Sequence, residues 1–157
     1  IGSFWNSSDA NTGVIIQPTT SRRFYTGRAT TNNQLPTINT LDIYRYYNSS
    51  NAAASIDETN LNYYNTNYSD APTFIGIPIE DDGGAGTANS HPEENEVVTY
   101  NGLTYPPLGD ELMTGYLSGN LALSALTLGF LADLGYGVNY ALAEPYRVGT
   151  PGNNSVP

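Results

Sequence analysis

The residues of this chain that could do chemistry are few and closely grouped. One histidine, His91, lies upstream of the run Gly109-Asp-Glu-Leu-Met-Thr-Gly115. A neutral imidazole is a common ligand for zinc, and the carboxylates of Asp110 and Glu111 could hold backbone or a ligand in place. A hydrolytic metal site, however, needs three protein ligands, an open position for water and a carboxylate to take the water's proton. With one histidine, no cysteine and no His-Glu-x-x-His run, this chain cannot close such a site by itself. Glu93 and Glu94 follow the histidine and read as solvated, although a carboxylate there could orient an imidazole. Asp81 and Asp82, followed by glycines, offer oxygen ligands for calcium. Their spacing is not that of an EF-hand loop, so a turn is the preferred reading.

The elements that must position these residues can be read from local pattern. Ser124 is placed to cap a helix that runs over about 124–134 and stops at Gly135. Ala125, Leu128, Leu131 and Leu134 recur at threefold spacing, the three leucines are read as core, and Leu126 and Phe130 widen the apolar face. Thr73 to Glu80 alternates apolar residues as an extended segment, and Pro78 suits an edge position. The glycines of Asp81 to Thr87 then supply a turn or wide loop that delivers the chain to His91. Asn95 to Pro107 reads as a hairpin-like loop around Asn101-Gly102. Leu41 to Ala54 fits a short helix or a strand equally well.

From Ile1 to about Asp70 the chain is dense in Asn, Thr, Ser and Tyr and shows no sustained helical period, so long loops with short extended pieces are expected. Aromatic clusters such as Phe4-Trp5, Arg23-Phe24-Tyr25 and Tyr44 to Tyr47 argue for order in this half. The expected class is therefore a loop-rich α+β fold with one clear helix and few short strands. Residues 1–146 form one body, and the Gly-, Pro- and Asn-rich residues 147–157 form a flexible tail or linker.

Fifteen acidic residues against five arginines and no lysine give a formal charge of −10. Such a surface repels phosphate backbones and anionic lipid, which excludes nucleic acid as a partner. No apolar run is long enough to span a bilayer. Without cysteine, disulfides and thiol chemistry are excluded too.

Pro78 to Tyr146 resembles the C-terminal half of leishmanolysin-like metzincin metallopeptidases, in particular the bacterial, cyanobacterial-type relatives. The blocks that carry the likeness stand in the family's order. They are Ile79-Glu-Asp-Asp-Gly-Gly-Ala-Gly-Thr87 with His91, Gly109 to Tyr116, Leu123 to Leu128, Ala132 to Tyr136, and Val138 to Ala141 with Pro145-Tyr146. More loosely, Gly2-Ser-Phe-Trp5 is similar to the segment after the family's catalytic helix, and Phe24 to Gly27 is similar to the loop between that helix and the third ligand. Pro92 stands where the family usually has tryptophan, and the stretch from His91 to Met113 is longer than the family's.

The resemblance implies a zinc-dependent endopeptidase in which His91 is the third zinc ligand and Met113 is the methionine of the turn beneath the metal. Asp110 and Glu111 support that turn. The other two histidines and the general-base glutamate are expected upstream of Ile1, in the same polypeptide or a cleaved fragment of it, so this chain alone would be inactive. A peptide would be the substrate, and the setting would be extracellular, on a cell surface or on a virion. The alternative is a non-catalytic structural or adhesion module of an extracellular assembly, with contacts between copies of the chain.

Overall fold

The computed structural model describes residues 13–28, 40–48, 73–116, 121–146 and 148. Three short strands form one sheet. β1 (Gly13–Ile16) pairs antiparallel with β2 (Phe24–Arg28), which pairs antiparallel with β3 (Ile77–Pro78). Phe24 lies opposite Pro78 and Tyr25 opposite Ile77, with Ile16 and Ile15 across the other side of β2. Pro78 is thus in the edge strand of this sheet, where a missing N–H is tolerated. Only two residues of the expected Thr73 to Glu80 segment are strand, with Ile79 adding an isolated bridge. Phe24 to Gly27, compared above with a loop, forms most of β2, because Phe24 and Tyr25 both bury fully and so anchor the strand on both faces.

The ambiguous segment is helical: α1 spans Thr40–Tyr47, and of its eight residues Leu41, Ile43, Tyr44, Tyr46 and Tyr47 are buried apolar side chains. β4 (Val98–Tyr100) and β5 (Leu103–Tyr105) form a separate hairpin. Asn101 and Gly102 both take positive φ, 49° and 76°, as a two-residue hairpin turn requires. α2 (Ala125–Asp133) begins as expected, with the Ser124 hydroxyl accepting from Leu126 N at 3.0 Å. Gly135 follows it with φ of 97°. A 3-10 turn over Tyr140–Leu142 completes the described elements.

α2 does not bury the face assigned from the leucine spacing. Ala125, Leu126, Gly129, Phe130 and Ala132 are buried, whereas Leu128 and Leu134 are half-buried and Leu131 is 38% exposed. At 3.6 residues per turn the three leucines lie within roughly 120° of one another, and Leu131 at their centre is on the side of the helix opposite Gly129. The face that packs is set by α1. A methyl added at Gly129 would meet Thr40 Oγ1 at 2.9 Å and Ile43 Cδ1 at 3.0 Å, so the two helices touch through that glycine.

Aromatic rings share the core with aliphatic side chains. Phe24, Tyr105, Phe74 and Tyr44 form a continuous series of ring contacts with centroids 4.8–5.5 Å apart. Each buried tyrosine hydroxyl needs a partner. Tyr25 and Thr40 both donate to Asp133 Oδ2 at 2.5 Å, tying β2 and α1 to α2. Tyr44 donates to the Pro106 carbonyl at 2.9 Å, and Tyr105 accepts from Ile75 N at 3.2 Å. Tyr146 stacks edge-on against Tyr47 and directs its hydroxyl at the carbonyls of Leu108 and Gly109. Val148 is buried in the same core. The residues resembling the segment after the catalytic helix, Gly2 to Trp5, lie outside the described residues, as do 49–54 and 149–157.

This packing predicts a sharp contrast between neighbours. Phe130→Ala should cost about 3–5 kcal/mol in urea unfolding, and Leu131→Ala about 1 kcal/mol or less. Equal losses would mean that the leucine stripe, not the α1-facing side, is the core.

Candidate metal centre

His91 is held by backbone laced onto the sheet edge. Glu80 N donates to the His91 carbonyl at 2.9 Å and Glu93 N donates to the Pro78 carbonyl at 2.9 Å, which makes Ile79 and Pro92 an antiparallel bridge. In such a pair the bonds come from the flanking residues, so the bridge asks no N–H of Pro92 itself. Proline in place of tryptophan is therefore compatible with the ladder. The loop before it turns through Gly83 and Gly84 at positive φ, and Asn89 N returns to the Glu80 carbonyl at 2.8 Å. The expected glycine turn is present.

The half-buried imidazole reaches the bend at Gly109 to Gly115, with Nδ1 3.0 Å from the Met113 carbonyl oxygen. A carbonyl can only accept. Nδ1 must therefore carry the proton in this contact, which leaves the Nε2 lone pair as the available donor to a cation.

Glu111 fixes the bend that presents this carbonyl. Its side chain is fully buried, and Oε2 accepts from Met113 N at 2.6 Å. Oε1 accepts from Ser124 Oγ at 2.6 Å and from Thr127 Oγ1, both in the first turn of α2 or its cap. A carboxylate also gains there from the positive end of the helix. Burial pushes the Glu111 carboxyl above its ordinary range, while its hydrogen bonds from Ser124, Thr127 and Met113 oppose that shift. Backbone adds a second tie, with Leu112 N on the Ala122 carbonyl at 2.9 Å and Ala122 N on the Asp110 carbonyl at 2.8 Å. Asp110 contributes geometry: its φ of 53° reverses the chain at the start of the bend. Met113 is half-buried between the exposed Leu112 and the buried Thr114.

Glu93 and Glu94 are not solvated as expected: Glu93 is 0% exposed and Glu94 8%. For Glu93 the reason is Arg22, a residue that no local pattern singled out. Its Nη1 donates to Glu93 Oε2 at 3.0 Å and to the Ile79 carbonyl at 2.9 Å. Glu93 Oε1 takes the backbone N–H groups of Asn95 and Glu96 at 3.3 and 3.1 Å. A carboxylate so supplied with donors can be buried. Burial, and secondarily the Glu93 charge, raises the Glu94 carboxyl. Burial and Glu93 likewise push Glu80 up to about 7.

Thr87 and Gly115 complete the packing around the imidazole. A Cβ at Gly115 would lie 2.3 Å from Thr87 Cγ2 and 3.5 Å from His91 Cδ2. Gly115→Ala should therefore destabilise the protein by about 1–3 kcal/mol. Adding Thr87→Ser, which removes the offending methyl, should restore most of that loss, and strict additivity of the two substitutions in thermal unfolding would refute the contact.

Comparison with known proteins places this geometry in a family. Residues 29–151, which include His91 and the whole bend at Gly109 to Gly115, match the family model described as leishmanolysin. No curated protein and no solved structure matches the chain. The family is one of zinc metallopeptidases, and a match over so much of the sequence means that this chain belongs to the leishmanolysin family.

Proposed function

We propose that this chain is the C-terminal, ligand-donating part of a bacterial-type zinc endopeptidase, with residues 1–146 as one subdomain of the larger protein. The observation that carries this reading is the contact of His91 Nδ1 with the Met113 carbonyl, which leaves Nε2 free to bind a cation. An imidazole so oriented suits zinc, which favours nitrogen ligands and keeps one position open in catalytic sites. The chain holds no second histidine and no cysteine, so the remaining ligands and the general base come from another segment carrying the His-Glu-x-x-His motif. Zinc bound there would supply Lewis acidity toward a scissile peptide carbonyl.

This chain's residues orient and exclude. His91 presents a lone pair, the Met113 carbonyl sets its tautomer, and Glu111 keeps that carbonyl in place. Met113 forms part of the floor, and the exposed side chains of Leu112 and Tyr116 lie beside it as surface for an apolar part of a peptide. We place the protein outside the cell or at a surface; among the described residues no helix is long and apolar enough to cross a membrane.

Metal analysis of the protein that carries this chain together with its His-Glu-x-x-His segment tests the proposal. About one zinc per chain is expected, lost together with peptide hydrolysis in His91→Ala. A wild-type protein that folds, binds no zinc and assembles through this domain would establish the structural-module reading instead.

A further inference from the structure

A second group of ligating side chains lies beside the first strand bridge. Glu80, Asp81 and Glu93 each bring one carboxylate oxygen to within 4.8 Å of the others. Arg22 covers one side of this group, with Nη1 on Glu93 Oε2 at 3.0 Å and Nη2 on Asp81 Oδ2 and Glu96 Oε2 at 3.1 and 3.2 Å. One guanidinium paired with three carboxylates, with Glu80 as a fourth beside them, leaves an excess of negative charge. Glu80 is outside its reach among the described ion pairs.

Glu80 is the observation that points to a ligand. It is 1% exposed, its Oε1 accepts from Asp82 N at 3.2 Å, and its buried Oε2 has no hydrogen-bond partner. A buried carboxylate oxygen without a donor is costly, and the protein supplies donors generously to its neighbour Glu93. Oxygen-only ligation from a compact set of carboxylates suits a hard divalent cation. Oxygens within 4.8 Å of one another can converge on one cation at the calcium–oxygen distance of about 2.4 Å with small side-chain adjustments. Magnesium would draw ligands to about 2.0–2.1 Å in strict octahedral geometry. Asp81 is partly exposed, which leaves room for waters to complete a larger calcium shell.

We propose that Glu80, Asp81 and Glu93 form a calcium site that ties the glycine-rich turn after Asp81 to the strand bridge carrying His91. Its oxygen ligands and its metal differ from those of the His91 centre, and it stands independently of the peptidase reading. Calcium there would link the two sides of the His91 loop, Glu80 at its entry and Glu93 just past its exit.

The zinc-loaded protein, stripped with a calcium-selective chelator, should be titrated with calcium chloride in slightly alkaline buffer by calorimetry and by thermal unfolding. About one calcium per chain and a rise in melting temperature of several degrees are expected at saturation. Glu80→Gln should weaken binding about tenfold or more and abolish the rise. Asp81→Asn, at a partly exposed position that folding tolerates, should weaken it as well. The proposal is overturned if the wild type shows neither heat nor shift at millimolar calcium, if both variants bind like the wild type, or if magnesium competes on equal terms.

Discussion

A single buried carboxylate organises the candidate site. Glu111 accepts from the amide of Met113 on one side and from the hydroxyls of Ser124 and Thr127 on the other, so the bend and the start of α2 share one anchor. Burying an ionisable group is unfavourable, and the Glu111 carboxyl is raised accordingly. Three donors and the helix N-terminus offset that cost only in one geometry. The Met113 carbonyl points at His91 as a consequence of that geometry, and the imidazole tautomer follows from the carbonyl. The orientation of the imidazole is thus tied to a residue two positions before the carbonyl it meets.

The scaffold around this anchor is built from tyrosines for a related reason. A chain with few aliphatic residues in its first half must bury apolar area through rings whose hydroxyls then need partners. Those hydroxyls are spent on irregular backbone and buried acid: Tyr44 on Pro106, Tyr146 on Leu108 and Gly109, Tyr25 on Asp133. Tyr146 secures the two carbonyls just ahead of Asp110, so the approach to the bend is held from the C-terminal segment as the bend itself is held from α2.

What could be read from sequence was local. Ser124 as a cap, Asn101-Gly102 as a hairpin turn and the glycines after Asp82 each depend on backbone chemistry within a few residues, and each stands in the structure as expected. Burial was not local. Glu93 looks like a surface residue until Arg22, 71 positions before it, is folded against it. Asp110 and Glu111 were equivalent candidates for holding the bend, because the hydroxyls that distinguish Glu111 lie 13 and 16 residues away. The leucine stripe misled for a geometric reason: α1 approaches α2 at Gly129, a position that a search for large apolar residues passes over. The family resemblance supplied order and spacing along the chain, but the route by which Glu111 reaches His91 needed coordinates.

The claim on which this account rests is that Glu111 sets the protonation of His91 through the Met113 carbonyl. Nitrogen-15 NMR of the single histidine, in the metal-free protein at neutral pH, reads that directly. Among neutral rings the account predicts the tautomer protonated at Nδ1, with Nε2 free, in the wild type, and a shift toward an unbiased mixture of tautomers in Glu111→Ala. A wild-type ring protonated at Nε2, or one indifferent to loss of Glu111 in a folded variant, would contradict it.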